Sequence, residues 1–233
     1  MSAATPPKLT PPQLPAGVLL DMDGTVIDSE PYWIAAEQEL VEKFGHTWTD
    51  EDAKSLVGNS LVDSAVILQN AGVKWTVDQI LDFLLDRVIA DVKQRMPWRP
   101  GAQKLLAELR SAHIPYALVT ASYRSFSGLV AEAGQFDALV PGDEVTHGKP
   151  HPESYLLAAQ KLGVDVTKCV AIEDSVPGIA SALASGAHTI GVPCMVPIPP
   201  QPGLSRVASL TDVNLPLLRI IAGGQAVDQL AGC

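Results

Sequence analysis

The sequence predicts an α/β protein: a doubly wound parallel sheet carrying a small all-α insertion. Three observations predict it. Short apolar runs without alternation stop abruptly at polar residues, as strands buried on both faces of a parallel sheet do. After residue 100 these runs alternate with helix-period segments. One connection, from Pro31 to about Met96, carries helical patterning and no strand, which is far more chain than a simple crossover helix needs.

Taken in order, residues 1–15 are proline-rich, without the charged start and apolar stretch of a signal peptide, so a disordered tail is expected. The first strand is 17–20, ending at Asp21. Cap-like helices follow at 32–44, 61–71 and 77–93, set between proline-bounded linkers at 28–31 and 96–100 that are the expected hinges. Helices at 102–112, 125–133, 152–162 and 177–185 then separate strands at 116–119, 138–140, 169–172 and 189–192. Gly163 and Gly186 follow two of these helices as stop residues. A last short strand near 206–210 and a helix end the chain. The expected division is 16–30 with 97–233 as the core, and 31–96 as the helical insertion.

Composition narrows the partners. Across 233 residues, 16 Lys and Arg face 26 Asp and Glu, a net charge of −10, so no basic face for nucleic acid or an anionic membrane is expected. No run of about 18 apolar residues occurs, and a cytoplasmic location is expected. Cys169, Cys194 and Cys233 form no CxxC pair and no disulfide framework. The five histidines show no ligand spacing, and loop positions account for them. Nothing sets an oligomeric state; a monomer is compatible with the sequence.

Ligands of open α/β sheets bind at the carboxyl ends of the strands. Those ends carry Asp21, Thr120 and the pair Glu173 and Asp174; Asp23 lies two residues past Asp21, and Lys149 sits in a Gly-Lys-Pro loop. Each alone has an ordinary explanation as a cap or a solvated turn. Together, in parallel strands, they converge on one crevice. Carboxylates about 5 Å apart repel by about 3 kcal/mol per pair at an effective dielectric of about 20. One lysine cannot neutralise four. A hard divalent cation can, and an oxygen-only donor set points to Mg²⁺ rather than zinc. With a lysine, a hydroxyl and backbone amides beside it, such a crevice suits a phosphoryl group.

These residues resemble a known family. The run from Asp21 to Glu30, DMDGTVIDSE, is similar to the opening motif of the haloacid dehalogenase superfamily. Val119-Thr120-Ala121-Ser122 resembles its second motif, Gly148-Lys149-Pro150 the third, and Ile172-Glu173-Asp174-Ser175 with Gly178 the fourth. The resemblance covers residues 17 to about 195, and the insertion after the first motif is similar to the helical cap of the β-phosphoglucomutase-like branch. It implies a Rossmann-like core with a small cap. It implies Asp21 as nucleophile, forming an aspartyl-phosphate, and Asp23 as general acid/base. Mg²⁺ would be held by Asp21, the Asp23 carbonyl and Asp174, with Glu173 ligating directly or through water. Thr120, with the amides around Ala121 and Ser122, would hold the phosphoryl oxygens, and Lys149 would balance charge.

Within that superfamily, dehalogenases and phosphonatases lack an Asp at the position of Asp23, and the cation-pumping ATPases carry Thr there. A phosphomonoester hydrolase or a mutase remains. A mutase needs basic cap residues for a second phosphate, and residues 55–64 hold none; Trp33 stands where those mutases carry a histidine. A Mg²⁺-dependent phosphatase acting on a small phosphomonoester is therefore expected, with a β-phosphoglucomutase-type sugar phosphate mutase as the alternative. Trp33, Asn59 and Ser60 are the cap residues that could touch substrate, Trp33 equally being core of its helix. Arg99 and Arg124 lie near the expected loops without an assigned role. A signalling receiver domain shares an Asp, a Thr and a Lys around Mg²⁺, but its acidic pair follows the first strand rather than a late one, and it has no cap. A silent phosphate-binding module would not need every motif residue present.

Overall fold

A computed structural model describes residues 14–56 and 60–231. The proposed tail therefore lies almost wholly outside the described residues, as do Asn59 and Cys233. Six strands form one parallel sheet in the order β3-β2-β1-β4-β5-β6. They are β1 (Gly17–Asp21), β2 (Tyr116–Val119), β3 (Ala138–Val140), β4 (Cys169–Glu173), β5 (His188–Gly191) and β6 (Leu204–Arg206). β6 begins two residues earlier than the sequence predicts, where Ser205 and Arg206 pair with Ile190 and Gly191.

All five residues of β1 are buried, and successive side chains enter opposite faces of the sheet. Val18 and Leu20 join a large apolar cluster with α5 (Ala102–Ser111), α6 (Arg124–Gly134) and α9 (Leu215–Ala222). Leu19 faces the other way, into a cluster with α7 (Glu153–Leu162) and Ala182 of α8 (Val176–Ala184). Both faces of the strand are thus covered, which is why the run has no polar alternation.

Between β1 and α5 lie α1 (Glu30–Lys43), α2 (Asp50–Lys54), α3 (Leu61–Asn70) and α4 (Val77–Gln94), with no strand among the described residues. Thr76 and Gln79 form a capping box that starts α4, and Ser60 caps α3 by accepting from the Asp63 N–H. Ser60 thus acts as a helix cap. α4 buries Ile80, Leu84, Val88 and Val92, one stripe at helical spacing, and α1 runs against it. The two linkers run side by side: the Asp28 N–H donates to the Pro97 carbonyl at 2.9 Å, and the Arg99 N–H to the Val26 carbonyl at 3.0 Å. The chain leaves and re-enters the sheet layer at one place.

One buried acid in this helical layer stands out. Glu37 of α1 is 6% exposed, with the Trp48 indole N–H 3.4 Å from Oε2. Burial, and then the charge of Glu30, push its carboxyl up to about 8, against the pull of that hydrogen bond. The folded state therefore keeps a proton that the unfolded chain has lost above its ordinary pKa near 4.5. Stability contributed by this site falls as pH rises through that window. Glu37→Gln should melt higher than the parent at pH 8, the gap closing as pH falls toward 4.5; a pH-independent gap in thermal melts would refute the buried-proton account.

Candidate active site

Pairing in register brings Asp21 beside Val119, with Thr120 one residue on, and Leu20 beside Ile172 with Glu173 next. The carboxyl ends of β1, β2 and β4 meet there. Lys149 Nζ reaches between them, 2.6 Å from Asp21 Oδ1 and 2.6 Å from Glu173 Oε1, and donates to the Val119 carbonyl at 3.1 Å. Glu173 is wholly buried, and its carboxylate is full. Oε1 also accepts from the Tyr155 hydroxyl at 2.9 Å, and Oε2 from the N–H of Asp174 and Ser175 and the Ser175 hydroxyl. Asp21 differs: Oδ2 is buried and has no hydrogen-bond partner among the described residues.

Electrostatics follow from burial. Burial first, then the Glu173 charge, raise Asp21 well above the carboxylate range, with Lys149 pulling it back. Burial would lower Lys149, but the charges of Asp21 and Glu173 overcome it and hold the ammonium protonated. Asp174 rises to about 7, through burial and then the charge of Glu173, with Lys149 opposing. Asp21, Glu173 and Asp174 offer oxygens within 4.8 Å of one another. Oxygen donors at this spacing, one of them buried and unpartnered, fit a hard divalent cation.

Asp23 sits in the turn after β1. The N–H groups of Val26 and Ile27 return to the Met22 carbonyl at 2.9 and 3.0 Å, with Gly24 at φ +81°. Its Oδ1 accepts from Ser29 Oγ at 2.5 Å, and its Oδ2 from Ser122 Oγ at 2.7 Å and Thr120 Oγ1 at 3.3 Å. Burial raises its pKa, and the three hydroxyls offset part of the rise. Thr120 and Ser122, expected to face phosphoryl oxygens, thus spend their hydroxyls on Asp23, and the Ser122 N–H donates to Thr120 Oγ1 at 2.9 Å. Ala121 is exposed, and its carbonyl lies where a Cβ on Gly142 would come within 2.0 Å, so Gly142 lets the two loops touch.

Sequence reasoning missed Ser29 and Tyr155. Ser29 is the residue before α1, yet its hydroxyl caps no helix N–H and turns to Asp23; its place in the DSE run was the available signal. Tyr155 carried no signal. Trp33 stacks edge-on to Phe126 of α6 at 6.0 Å between ring centres, joining the helical layer to the layer beneath. Arg99 donates to Cys194 Sγ at 2.7 Å and the Pro193 carbonyl at 3.3 Å, and Arg124 pairs with Glu144. His147 and His151 are exposed loop residues, as expected, and they converge with Glu153, because the loop around Lys149 folds back on the start of α7.

A family model described as haloacid dehalogenase-like hydrolase matches residues 18–192. Hexitol phosphatase B of Escherichia coli (strain K12) is 32% identical over 194 residues, covering 79% of this chain and 86% of that protein. A fructose-1-phosphate phosphatase of the same strain is 30% identical over 196 residues, covering 76% and 96%. The crystal structure of a haloacid dehalogenase family hydrolase from Deinococcus radiodurans R1, with bound phosphate and sodium, matches at TM-score 0.65 and 27% identity, covering 94% of this chain and all of that one.

Gly24 is tightly constrained. A Cβ there would come within 2.1 Å of Asp174 Oδ2, on a backbone that L-residues avoid. Gly24→Ala should destabilise by about 1–2 kcal/mol from the backbone alone, and further because Asp174 must move. A variant with an unchanged urea midpoint would refute this.

Proposed function

The chain belongs to the haloacid dehalogenase-like hydrolase family, and from that premise we propose that it is a phosphatase that hydrolyses a small phosphomonoester, a phosphorylated hexose or hexitol, with Mg²⁺ as cofactor. The observation that carries this is the state of Asp21: buried, one oxygen clamped by Lys149, the other without a partner. The names of the two phosphatase relatives supply the substrate class.

Asp21 and Asp174, with the Asp23 carbonyl, would hold the metal. Glu173, its carboxylate already engaged, would anchor Lys149 and the turn after β4 rather than ligate directly. Bound there, Mg²⁺ supplies positive charge against the clustered carboxylates and the substrate phosphate. Asp21 attacks phosphorus in line; a bond from its oxygen to phosphorus forms and the ester P–O bond breaks. Asp23 gives its proton to the leaving alkoxide. Its raised pKa favours the protonated form needed for that step. It then takes a proton from water, whose oxygen attacks phosphorus, releasing phosphate and restoring the Asp21 carboxylate. Lys149 stays protonated throughout and offsets charge on Asp21 and the phosphoryl oxygens. Thr120 and Ser122 hold Asp23 in place and, with Ala121, line the phosphoryl side.

The test is phosphate release with Mg²⁺ across a panel of phosphorylated hexoses and hexitols, with β-glucose 1-phosphate isomerisation followed in parallel. Release should vanish with a chelator and return with Mg²⁺. Asp21→Asn should lose about 10³-fold or more, and Asp23→Asn about 10²–10⁴-fold, the usual worth of a general acid/base. Isomerisation primed by a sugar bisphosphate, with little free phosphate, would overturn the reading in favour of a mutase.

Residues 31–96 would act as a cap that opens on the paired linkers to admit substrate and closes to exclude water. A disulfide engineered between α1 and α6, near the Trp33–Phe126 contact, should abolish turnover when oxidised and restore it on reduction, with Mg²⁺ binding nearly intact. Undiminished turnover in the oxidised form would refute gating.

A further inference from the structure

The loop that delivers Lys149 to the carboxylates carries a second group of donor atoms, separate from Asp21, Glu173 and Asp174. A ring nitrogen from each of His147 and His151 and a carboxylate oxygen of Glu153 all lie within 4.8 Å of one another. The two imidazoles are 4.7 Å apart between centres, tilted by 38°. Nδ1 of His147 is 2.9 Å from Glu153 Oε2, and Nδ1 of His151 is 3.9 Å from it. The set is held by backbone. The N–H groups of Thr146 and His147 donate to the Glu153 oxygens at 2.7 and 2.9 Å, and the Glu153 N–H, at the start of α7, donates to His151 Nδ1 at 3.3 Å. Both rings are exposed, so an ion from solvent reaches them without opening the fold.

The donor chemistry is unlike that of the carboxylate site. Two imidazoles and one carboxylate suit a borderline divalent ion, zinc above all, with water completing the coordination. Mg²⁺, which takes oxygen ligands in an octahedron, is poorly served by it. We propose that His147, His151 and Glu153 form a binding site for a borderline divalent cation such as Zn²⁺, and that its occupation slows the enzyme through Lys149. The second half rests on the phosphatase reading; the first does not.

The coupling is geometric. Ligand bonds of about 2.0–2.2 Å set tetrahedral donors about 3.3 Å apart. The loop must therefore tighten, and the His147 ring must release the Glu153 oxygen. Lys149 lies midway between the two histidines and holds Asp21 and Glu173 at 2.6 Å each, so little displacement is tolerated at Nζ.

The test uses the full chain with Mg²⁺ in large excess, so that the added ion must compete for the carboxylate site, and Asp21→Asn reports any uptake there. Zn²⁺ is titrated by calorimetry, and Co²⁺ by the visible absorption that imidazole ligation produces. One equivalent should bind, with affinity at least about tenfold weaker in His147→Ala and again in His151→Ala, a change of about 1.4 kcal/mol, and the equivalent should be retained in Asp21→Asn. Phosphate release by the parent should fall as Zn²⁺ is added, while His147→Ala keeps its turnover. Uptake that survives both histidine variants, or is lost in Asp21→Asn, would overturn the site. Binding with turnover unchanged would overturn the coupling alone, and the two titrations read the site whether or not any phosphate ester is hydrolysed.

Discussion

A single ammonium group stands between two buried carboxylates, and the architecture around it follows from that necessity. Asp21 and Glu173 end adjacent parallel strands, so their charges are forced together by the sheet itself. Unpaired carboxylates in such a place each carry a desolvation penalty of several kcal/mol and repel one another by about 3 kcal/mol more. Lys149, 2.6 Å from both, removes much of that penalty, and its own burial is overcome by the two charges it faces. The compensation is incomplete. Asp21 and Asp174 still carry raised pKa values, and one Asp21 oxygen has no partner among the described residues. That residual deficit of positive charge is what the proposed cation and phosphoryl group would meet.

Close approach around this cluster has been bought with side-chain volume. A Cβ on Gly178 would lie 1.8 Å from Glu173 Oε1, so only a glycine lets the first turn of α8 close over that carboxylate. Ser29 shows the same priority in hydrogen bonding. It occupies the cap position of α1, where a serine hydroxyl ordinarily accepts from the first turn, yet it serves Asp23 instead. Local helix preference is sacrificed where the site needs the donor, as functional positions commonly show. The consequence is a mechanical link: the residue that starts the helical layer also holds the proposed proton donor.

Much of this was legible in the chain. The strands are short uniform apolar runs because both faces are covered, and that pattern survives without knowledge of their neighbours. Three helices of the insertion, α1, α3 and α4, lie within a residue or two of their expected bounds, since α4 in particular writes its buried stripe at helical spacing, whereas the five-residue α2 is too short to show a period. The motif residues Asp21, Asp23, Thr120, Lys149, Glu173 and Asp174 were all named, because the carboxyl ends of parallel strands are where such residues gather. What stayed hidden has one character. Tyr155 lies within a helix with no mark of function until its hydroxyl is seen 2.9 Å from Glu173. Trp33 could be read as core of its own helix or as a substrate contact; it packs against the large apolar cluster and meets Phe126 edge-on, as the core reading expects. The histidines looked scattered because their convergence depends on how a loop turns.

By itself, then, the sequence determined the α/β class, the succession of strands and of the longer helices along the chain, and the identity of the charged residues. Periodicity and short motifs are local properties, and local preference decides them. Tertiary structure decided what each of those groups does. It sent the hydroxyls of Thr120 and Ser122 to Asp23, filled the Glu173 carboxylate while leaving Asp21 half free, and drew His147, His151 and Glu153 into one cluster. The physical reason is that hydrogen bonds and ion pairs act over about 3 Å, whereas the partners lie as far as 128 residues apart along the chain. Only the packing of the sheet and its helices brings them within that range.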